Sequence, residues 1–542
     1  MEGGCESLHS CHRDGRHLPV DRAALDLSRR DADRRSRSGS ISVSSSSRPN
    51  KPAGSPFPPA IDNYDRRLKA MESFDVIVIG AGPAGVVAAL RAGDLGAKTV
   101  LITRDRFGGM AANDGPVPVR TLAHAARLIR DARQLHRYGI SIGDPALDYS
   151  RLLERVREVT CDVRLHSSLR KQIESANVKV FENSGLVRLV DAQTVEDTNG
   201  LRLQSRSIVV CTGGVSRKLT VPGSELTATH SDAWQLKSIP PSMIVIGAGA
   251  TGAQVASIFN AFGSKVQLFH SGARILPTED EDVSRSMAQA FRESGIDVHE
   301  NFGVIESFEQ TPAGVKMFFR KDDRLESAEA SLAVSAIGWV ANTAGLDLAN
   351  AGVECNGKGF IQVDQFLRTS APNIFAAGDV TGRLLLVPQA IHDGFIAGTN
   401  AVRGPTMPLP EQVAPIGSFT DPEYAQVGLT EGKARELHDV VVATITFDST
   451  TRTIIDGRTY GFCKLIVDRR TRKILGCHVV GERAVEISQL AAVAMAAGMP
   501  VDDLAAVPLS YPTYAGALGR VAATATRQLN VQVDWRVSQV ES

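Results

Sequence analysis

The stretch from Phe74 to Gly85 constrains the fold of this chain most strongly, because it reads F-D-V-I-V-I-G-A-G-P-A-G. Val76–Ile79 is a continuous β-branched apolar run, which is typical of a strand buried on both faces of a parallel sheet. The run leads into Gly80, Gly82 and Gly85, spaced G-x-G-x-x-G, and a small-residue helical pattern follows. These glycines allow a tight turn, the approach of backbone N–H groups to a pyrophosphate, and close packing of helix on strand. The stretch therefore predicts a dinucleotide-binding βαβ unit.

A second copy of this pattern begins at Ser242, where Gly247, Gly249 and Gly252 follow another apolar run. Two such fingerprints in one chain imply two dinucleotides bound by two domains. Beyond about residue 408, β-rich runs precede an apolar helical stretch and no phosphate-binding pattern occurs. We therefore predict an α/β protein with two Rossmann-like, doubly wound dinucleotide-binding domains and a C-terminal α+β domain.

Length and charge set further limits on the chain. Its 542 residues are too many for a single core and favour about three or four domains. Lys plus Arg equals Asp plus Glu at 60 each, so the charge favours neither nucleic acid nor a membrane surface. No apolar run approaches the ~18 residues of a membrane span. The seven scattered cysteines suggest no disulfide framework, and we expect a reducing, cytoplasmic location and no metal site.

The first 70 residues differ in composition from the rest, being rich in Arg, Ser and Pro. Such a segment buries too little apolar surface to offset its ordering entropy, so we expect a disordered tail. Three other interpretations remain open: a transit peptide, which its acidic residues disfavour, an artefact of an upstream start site, and metal binding. The metal-binding candidates, whose spacing matches no structural zinc pattern, are Cys5, His9, Cys11 and His12.

Several further motifs occur in a fixed order along the chain. They are G-G at Gly108, T-G-G at Thr212, A-I-G-W-V-A-N-T at Ala336, A-A-G-D-V-T-G at Ala376 and F-T-D-P-E-Y-A-Q-V-G-L-T at Phe419. With the two fingerprints, they resemble the class I pyridine nucleotide–disulfide oxidoreductases, such as dihydrolipoamide dehydrogenase, glutathione reductase and mercuric reductase. The resemblance covers residues 72 to about 527.

The resemblance implies FAD in the first domain, NADH or NADPH in the second, and a homodimer formed through the C-terminal domain. The implied boundaries are 71–225 and 346–408 for the FAD domain, 226–345 for the NAD(P) domain and 409–542 for the dimerisation domain. Asp379 matches the aspartate that hydrogen-bonds the ribityl chain of FAD. Other cofactor-binding candidates on these motifs are Gly109, Thr212, Gly213 and Gly338.

The chain departs from the family where thiol chemistry takes place. In the family this segment reads T-C-x-N-x-G-C-x-P-x-K. In this chain Ala111 and Pro116 replace the two cysteines, and neither side chain can act as a thiolate. Near the C-terminus the family has the pattern H-P-T-x-x-E, and this chain has Tyr511 in place of the His and Gly516 in place of the Glu. We therefore predict that the chain is not a disulfide reductase. Cys211, on a strand that faces the flavin by resemblance, is the remaining cysteine that we consider for redox activity.

Charged positions around both nucleotides also differ from the family. Arg120 replaces the lysine beside the flavin and Gln254 replaces its glutamate partner, so we expect a less compensated positive charge and a raised flavin potential. Thr103 replaces the acidic ribose partner of the FAD unit, which predicts weaker FAD binding. His270 stands at the equivalent NAD(P) position. Loss of that carboxylate, with Arg274 nearby, favours NADPH, and a relaxed site for both nucleotides is the alternative.

These features predict a flavoenzyme that passes hydride from NAD(P)H to FAD and then to a non-thiol acceptor. We expect a quinone, because a flat acceptor can use the flavin face that a disulfide would have covered. The candidate catalytic residues are Arg120, Gln254 and Tyr511, with Tyr511 hydrogen-bonding a quinone oxygen or only filling the space of the lost His. Two alternatives stay open: a pyridine nucleotide transhydrogenase, and a catalytically weak flavoprotein with a sensor or assembly role.

Overall fold

The computed structural model describes residues 72–166, 168–410 and 413–532. The predictions for the tail, including Cys5, His9, Cys11 and His12, lie outside these residues. The strands are β1 Glu72–Ile79, β2 Thr99–Ile102, β3 Lys179–Phe181, β4 Val187–Leu189, β5 Thr194–Asp197, β6 Arg202–Val210, β7 Gly214–Ser216, β8 Ala228–Thr229, β9 Ser242–Ile246, β10 Lys265–His270, β11 Asp297–Glu300, β12 Val304–Thr311, β13 Gly314–Lys321, β14 Arg324–Ala330, β15 Leu332–Ser335, β16 Trp339–Ala341, β17 Ile374–Ala376, β18 Ile416–Ser418, β19 Tyr424–Gly428, β20 Val440–Thr446, β21 Phe462–Asp468 and β22 Ile474–Val480. The α-helices are α1 Pro83–Asp94, α2 Gly109–Asn113, α3 Pro116–Ala132, α4 Tyr149–His166, α5 Ser168–Ser175, α6 His230–Ala233, α7 Ala250–Ala261, α8 Glu281–Glu293, α9 Val387–Arg403, α10 Glu431–Leu437, α11 Thr451–Ile455, α12 Ala484–Ala496, α13 Val501–Ala506 and α14 Gly516–Gln528.

The first sheet is built around β1, as the sequence predicts. Its strand order is β3-β2-β1-β6-β5-β4, and β17 pairs with β6. Strand β1 is parallel to both β2 and β6, with Val76 opposite Thr99 on one side and Ser207 on the other. The apolar side chains of β1 are buried because α1 and α9 cover one face of the sheet.

The second fingerprint opens a separate sheet of order β11-β10-β9-β15-β8, in which the pairs between these strands are parallel. Helix α7 follows β9 as α1 follows β1. A three-stranded antiparallel sheet, β12-β13-β14, lies between β11 and β15 in the chain. The α/β fold with two Rossmann-like sheets is thus confirmed.

The C-terminal part is α+β, as predicted. Its antiparallel sheet has the order β18-β19-β22-β21-β20, and α12 and α14 pack on it around a common apolar core. Within the described residues no helix is long and apolar enough to cross a membrane.

A buried ion cluster ties this sheet to the second nucleotide unit. Lys464 on β21 has only 2% of its side chain exposed and donates to Asp280, the N-cap of α8, at 2.8 Å. Its ammonium also contacts Asp282 and Glu431, both at 2.6 Å. Because each charge has an opposite charge within contact distance, the cluster fixes α8 against β21.

Candidate dinucleotide and flavin site

The first glycine loop adopts the backbone that dinucleotide binding requires. Gly80 has φ of +106°, and a Cβ atom on Gly85 would lie 1.8 Å from the carbonyl oxygen of Gly80. Gly82 is the N-cap of α1, so its neighbours leave unpaired N–H donors at the helix end. Gly109 closes over this loop, since a Cβ there would lie 2.6 Å from the Cα of Gly82. The loop therefore leaves room for a pyrophosphate where side chains would otherwise stand.

Polar groups beside this loop lack partners among the described residues. The hydroxyl of Thr212 is buried and makes no hydrogen bond to any residue that the structure describes. Gly213, with φ of +79°, has open space on its Cβ side. Burial raises the pKa of Asp379 to about 6, and its carboxylate contacts no cation within the described chain. An acceptor and a hydroxyl left without partners in this way fit a polyhydroxy chain such as the ribityl group of FAD.

Thr103 stands at the carboxyl end of β2, where the sequence places it. Its backbone N–H donates to Phe181 at 2.9 Å and its carbonyl accepts from Ser184 at 3.1 Å. The residue is buried. Its side chain is a neutral hydroxyl, and weaker FAD binding at this position stays a prediction.

The second glycine loop repeats the first. Gly247 has φ of +95°, and a Cβ on Gly252 would lie 1.7 Å from its carbonyl oxygen. Gly249 is the N-cap of α7 and has no atom within 4 Å of its Cβ position. Gly338 has φ of +107° and is equally open. The loop fits the pyrophosphate of a nicotinamide dinucleotide.

His270 is the last residue of β10, and a loop follows it. The imidazole of His270 lies against Gly272, and burial lowers its pKa, so the ring is neutral near pH 7. Arg274 does not point into open space: its guanidinium donates to Ser284 at 2.8 Å and to the carbonyl of Pro277 at 3.2 Å. A 2′-phosphate would have to compete with these two internal partners.

The positions of the missing cysteines are close to the first loop. Ala111 lies on the short helix α2 and Pro116 is the first residue of α3, where proline fits because no helical partner is needed for its nitrogen. Tyr511 is 81% exposed, and its hydroxyl lies 3.0 Å from that of Thr451. Gly516 begins α14 and offers no carboxylate. The described residues at these positions supply no thiol and no imidazole.

Arg120 lies against an aromatic side chain of the C-terminal part. Its guanidinium stacks on the ring of Phe419, and burial lowers its pKa to about 10. The charges of Glu423 and Glu486, both in the C-terminal part, oppose this shift but do not outweigh burial. The amide of Gln254 donates to the carbonyl of Ala250 on its own helix at 3.1 Å. The raised flavin potential stays a prediction.

Glu423 and Glu486 were missed at the sequence level. Glu423 belongs to the motif at Phe419, and its place within four residues of that ring was a signal that could have been used. Burial raises the pKa of Glu423 to about 7, with Glu482 adding repulsion. One oxygen of Glu423 accepts from the N–H of Val485 at the start of α12, at 3.4 Å.

None of the described cysteines lies at the two positions of the family's cysteine pair. Burial raises the pKa of Cys211 far above its usual range, so its thiolate is strongly disfavoured. Cys463 and Cys477 are buried in the C-terminal core, whereas Cys355 is exposed and Cys161, on α4, is partly exposed. No three His, Cys, Asp or Glu side chains among residues 72–166, 168–410 and 413–532 are grouped to hold a metal.

Comparison with known protein families agrees with this geometry. The model of the pyridine nucleotide-disulphide oxidoreductases matches residues 74–394, and that of their dimerisation domain matches residues 414–522. The chain belongs to the pyridine nucleotide-disulphide oxidoreductase family. It is a flavin-dependent pyridine nucleotide oxidoreductase by family, with FAD and NAD(P)H as cofactors, and its dimerisation domain indicates a homodimer.

Individual members of the family resemble the chain over most of its length. The dihydrolipoyl dehydrogenase of Zymomonas mobilis subsp. mobilis is 33% identical over 426 residues, which cover 77% of this chain and 90% of that relative. The mercuric reductase of Lysinibacillus sphaericus is 30% identical over 86% of this chain and 84% of the relative. The solved Cu(II) complex of the HOCl-induced flavoprotein disulfide reductase RclA from Escherichia coli aligns with a TM-score of 0.75 at 26% identity, covering 84% of this chain and 100% of that one.

Proposed function

We propose that this family member passes hydride from NAD(P)H to FAD and then to a quinone-like acceptor, and that it does not reduce disulfides. One observation carries the proposal: Ala111 and Pro116 occupy α2 and the start of α3 where the family has its cysteine pair. A disulfide substrate needs a thiolate partner on the enzyme, and neither residue supplies one. The relatives named as disulfide reductases therefore share the fold and cofactors but not this chemistry.

Each part of the site has a separate task in this proposal. The loops at Gly80 and Gly247 bind the two pyrophosphates through helix N-termini. Thr212 and Asp379 bind the ribityl chain, and Arg120 places a positive charge at the flavin. When bound, the flavin supplies the chemistry, taking a hydride from the nicotinamide and giving two electrons to the acceptor. We retain the domain boundaries 71–225, 226–345, 346–408 and 409–542 and a cytoplasmic location as parts of the same proposal.

Tyr511 is our candidate for orienting the acceptor. Its ring is exposed on the dimerisation part of the chain, and the adjacent Thr451 hydroxyl fixes the direction of its own hydroxyl. In a homodimer, such a side chain can reach the flavin of the partner subunit and donate to an acceptor oxygen. A role as a filler of the space left by the family's histidine predicts instead that Tyr511→Phe has full activity.

Both nicotinamide nucleotides are expected to bind, because no carboxylate at His270 repels a 2′-phosphate. The internal hydrogen bonds of Arg274 lessen the advantage that NADPH would gain from it. Transhydrogenation needs the same groups and no thiols, so it is the nearest alternative. It predicts rapid transfer of electrons from NADPH to NAD and slow transfer to quinones. A sensor role predicts a flavin that NADPH fails to bleach within seconds.

A panel of acceptors tests the proposal. The FAD-loaded protein would be assayed with NADPH and NADH against benzoquinone, oxidised lipoamide and glutathione disulfide. Turnover with benzoquinone and none with either disulfide is the expected result. Turnover with a disulfide at the rate seen with benzoquinone would overturn the assignment, and Tyr511→Phe in the same assay separates the two roles of that residue.

A further inference from the structure

Four polar side chains form a chain of hydrogen bonds between the two nucleotide-binding units. His230, at the start of α6, is buried, and its Nδ1 lies 3.0 Å from the hydroxyl of Ser216 on β7. Its Nε2 lies 3.3 Å from the hydroxyl of Ser231. That hydroxyl donates in turn to the carboxylate of Asp114, in the turn between α2 and α3. No role assigned above uses any of these four residues.

One orientation of the protons satisfies every contact in this chain. An ionised Asp114 can only accept hydrogen bonds, so the hydroxyl of Ser231 donates to the carboxylate. The oxygen of Ser231 must then accept a hydrogen bond from His230. The Nε2 of His230 therefore carries the proton, and Nδ1 accepts from Ser216. All donors point from Ser216 towards Asp114, which is the arrangement of a proton wire.

The wire borders the proposed flavin site. Trp339 packs edge-on against the His230 ring with a centroid separation of 4.8 Å. A Cβ atom on Gly214 would lie 3.9 Å from the Trp339 ring and 3.6 Å from the Cβ of Asp379, so these residues are contiguous. At its other end, Asp114 lies between the positions of Ala111 and Pro116. It therefore stands in the turn where the family has thiols and where the acceptor would approach.

We propose that Ser216, His230, Ser231 and Asp114 form a proton relay that serves reduction of the acceptor. The inference rests on the proposed function, because hydride transfer to a quinone yields a hydroquinone anion that must take up one proton. Ser231 passes its proton to the Asp114 carboxylate as its oxygen takes the Nε2 proton of His230, and Asp114 then gives the proton to the acceptor oxygen. Ser216 passes its proton to Nδ1 of His230 and takes one from solvent, so one solvent proton reaches the acceptor in each turnover. The net reaction is NAD(P)H plus H⁺ plus quinone giving NAD(P)⁺ plus hydroquinone.

The charges around His230 suit a group that takes up a proton only transiently. Burial lowers the pKa of His230, while Asp114 and, more weakly, Asp232 oppose the shift. Asp232 is engaged elsewhere, since it caps α6 by accepting from the N–H and hydroxyl of Thr229, both at 2.8 Å. Its carboxylate faces His230 but does not belong to the wire. Asp232→Asn is therefore a matched control for Asp114→Asn.

The first test measures protonation of His230 and needs no turnover. An imidazolium quenches a neighbouring indole, so the fluorescence of Trp339 in the holoenzyme should fall on acidification, with Trp339→Phe as the blank. His230→Gln should remove this transition, and Asp114→Asn should move it to lower pH more than Asp232→Asn does. Equal shifts of the transition pH for Asp114→Asn and Asp232→Asn would contradict the proposal that His230 is coupled to Asp114 through the wire.

The second test separates proton delivery from structural effects. Holoenzyme reduced with NADPH would be reoxidised by benzoquinone, by dioxygen, and by ferricyanide, which accepts electrons without protons. In His230→Gln and Asp114→Asn, reoxidation by the proton-requiring acceptors should slow at least about tenfold more than that by ferricyanide. Equal slowing with all acceptors would overturn the relay. Failure of the unmodified protein to reduce benzoquinone would instead refute the quinone acceptor, and the dioxygen comparison would then decide the relay.

Discussion

The Cβ position of Gly252 lies 1.7 Å from the carbonyl oxygen of Gly247, so helix α7 touches the preceding loop at a point where only a hydrogen atom fits. Gly249, in the same fingerprint, has no atom within 4 Å of its Cβ position and an ordinary φ of −78°. Gly252 is thus required for the fold, whereas Gly249 is required only for a ligand to approach the loop.

Alanine at these two positions should therefore have different effects. Gly252→Ala should lower the free energy of unfolding by about 2–4 kcal/mol, because backbone must shift to admit the methyl group. Gly249→Ala should leave stability nearly unchanged and weaken nicotinamide nucleotide binding about tenfold or more, since its methyl group faces the pyrophosphate. Urea denaturation and nucleotide titration measure the two quantities. Equal loss of stability in both variants would contradict the assignment.

The effect of Arg120 on the rate of flavin reduction should depend more on its charge than on its shape. Arg120→Met removes the cation that stacks on Phe419 and should slow flavin reduction by NADPH about tenfold to hundredfold. Arg120→Lys keeps a charge but loses the planar stacking, so its rate should lie between those of Met and Arg. Stopped-flow absorbance at saturating NADPH measures the step. A Met variant that matches the unmodified protein would place Arg120 outside the site.

Glu423 should make the protein less stable as the pH rises. Its pKa in the folded state is raised to about 7, so its protonated form is favoured by folding. The stabilisation is complete below the carboxyl pKa of the unfolded chain and is lost as the pH rises through 7. Glu423→Gln should remove this dependence and gain about 2 kcal/mol at pH 8 relative to the unmodified protein. Denaturation at pH 5 and pH 8 tests this, with Glu486→Gln as the control. A Gln variant that still loses the same stability between the two pH values would show that another group is responsible.

Lys464 should be essential to the contact between α8 and β21. Lys464→Met removes the cation that pairs with the buried Asp280, while Asp282 and Glu431 keep their contacts with arginines, and the change should cost about 3–5 kcal/mol at pH 7. The loss should shrink at low pH, where the carboxylates are protonated. The pKa values of Asp280 and Glu431 are lowered by Lys464, so thermal unfolding at pH 3 and pH 7 measures both effects. A loss that is the same at both pH values would argue for packing alone.

Alkylation of thiols should leave quinone reduction intact. Iodoacetamide should label the exposed Cys355 and spare the buried Cys211, Cys463 and Cys477. Prior reduction with NADPH should not change the labelling pattern, because no disulfide is opened. Peptide mass mapping with Cys355→Ser as the control checks this. Loss of activity that requires NADPH before alkylation would reveal a working dithiol.

The local parts of this structure were predictable and the long-range parts were not. The glycine loops follow from spacing within a dozen residues, since Gly85 and Gly252 are each required by contact with the carbonyl oxygen of the first glycine of the same loop. Helix α3 starts at Pro116, because proline is permitted at the first helical position. Glu423 and Glu486, whose charges act on Arg120, come more than 300 positions later in the chain, and only folding brings them near. The link from Asp114 to His230 was hidden for the same reason.

The visible spectrum of the purified protein, recorded without oxygen, tests the central claim most directly. Addition of NADPH should bleach the flavin within seconds, without the long-wavelength band of a thiolate beside the flavin, and a quinone should restore the colour. NADH in the same experiment would rank the two nucleotides. Protein without flavin, flavin that neither nucleotide reduces, or a thiolate–flavin band would contradict the account of a thiol-free NAD(P)H oxidoreductase.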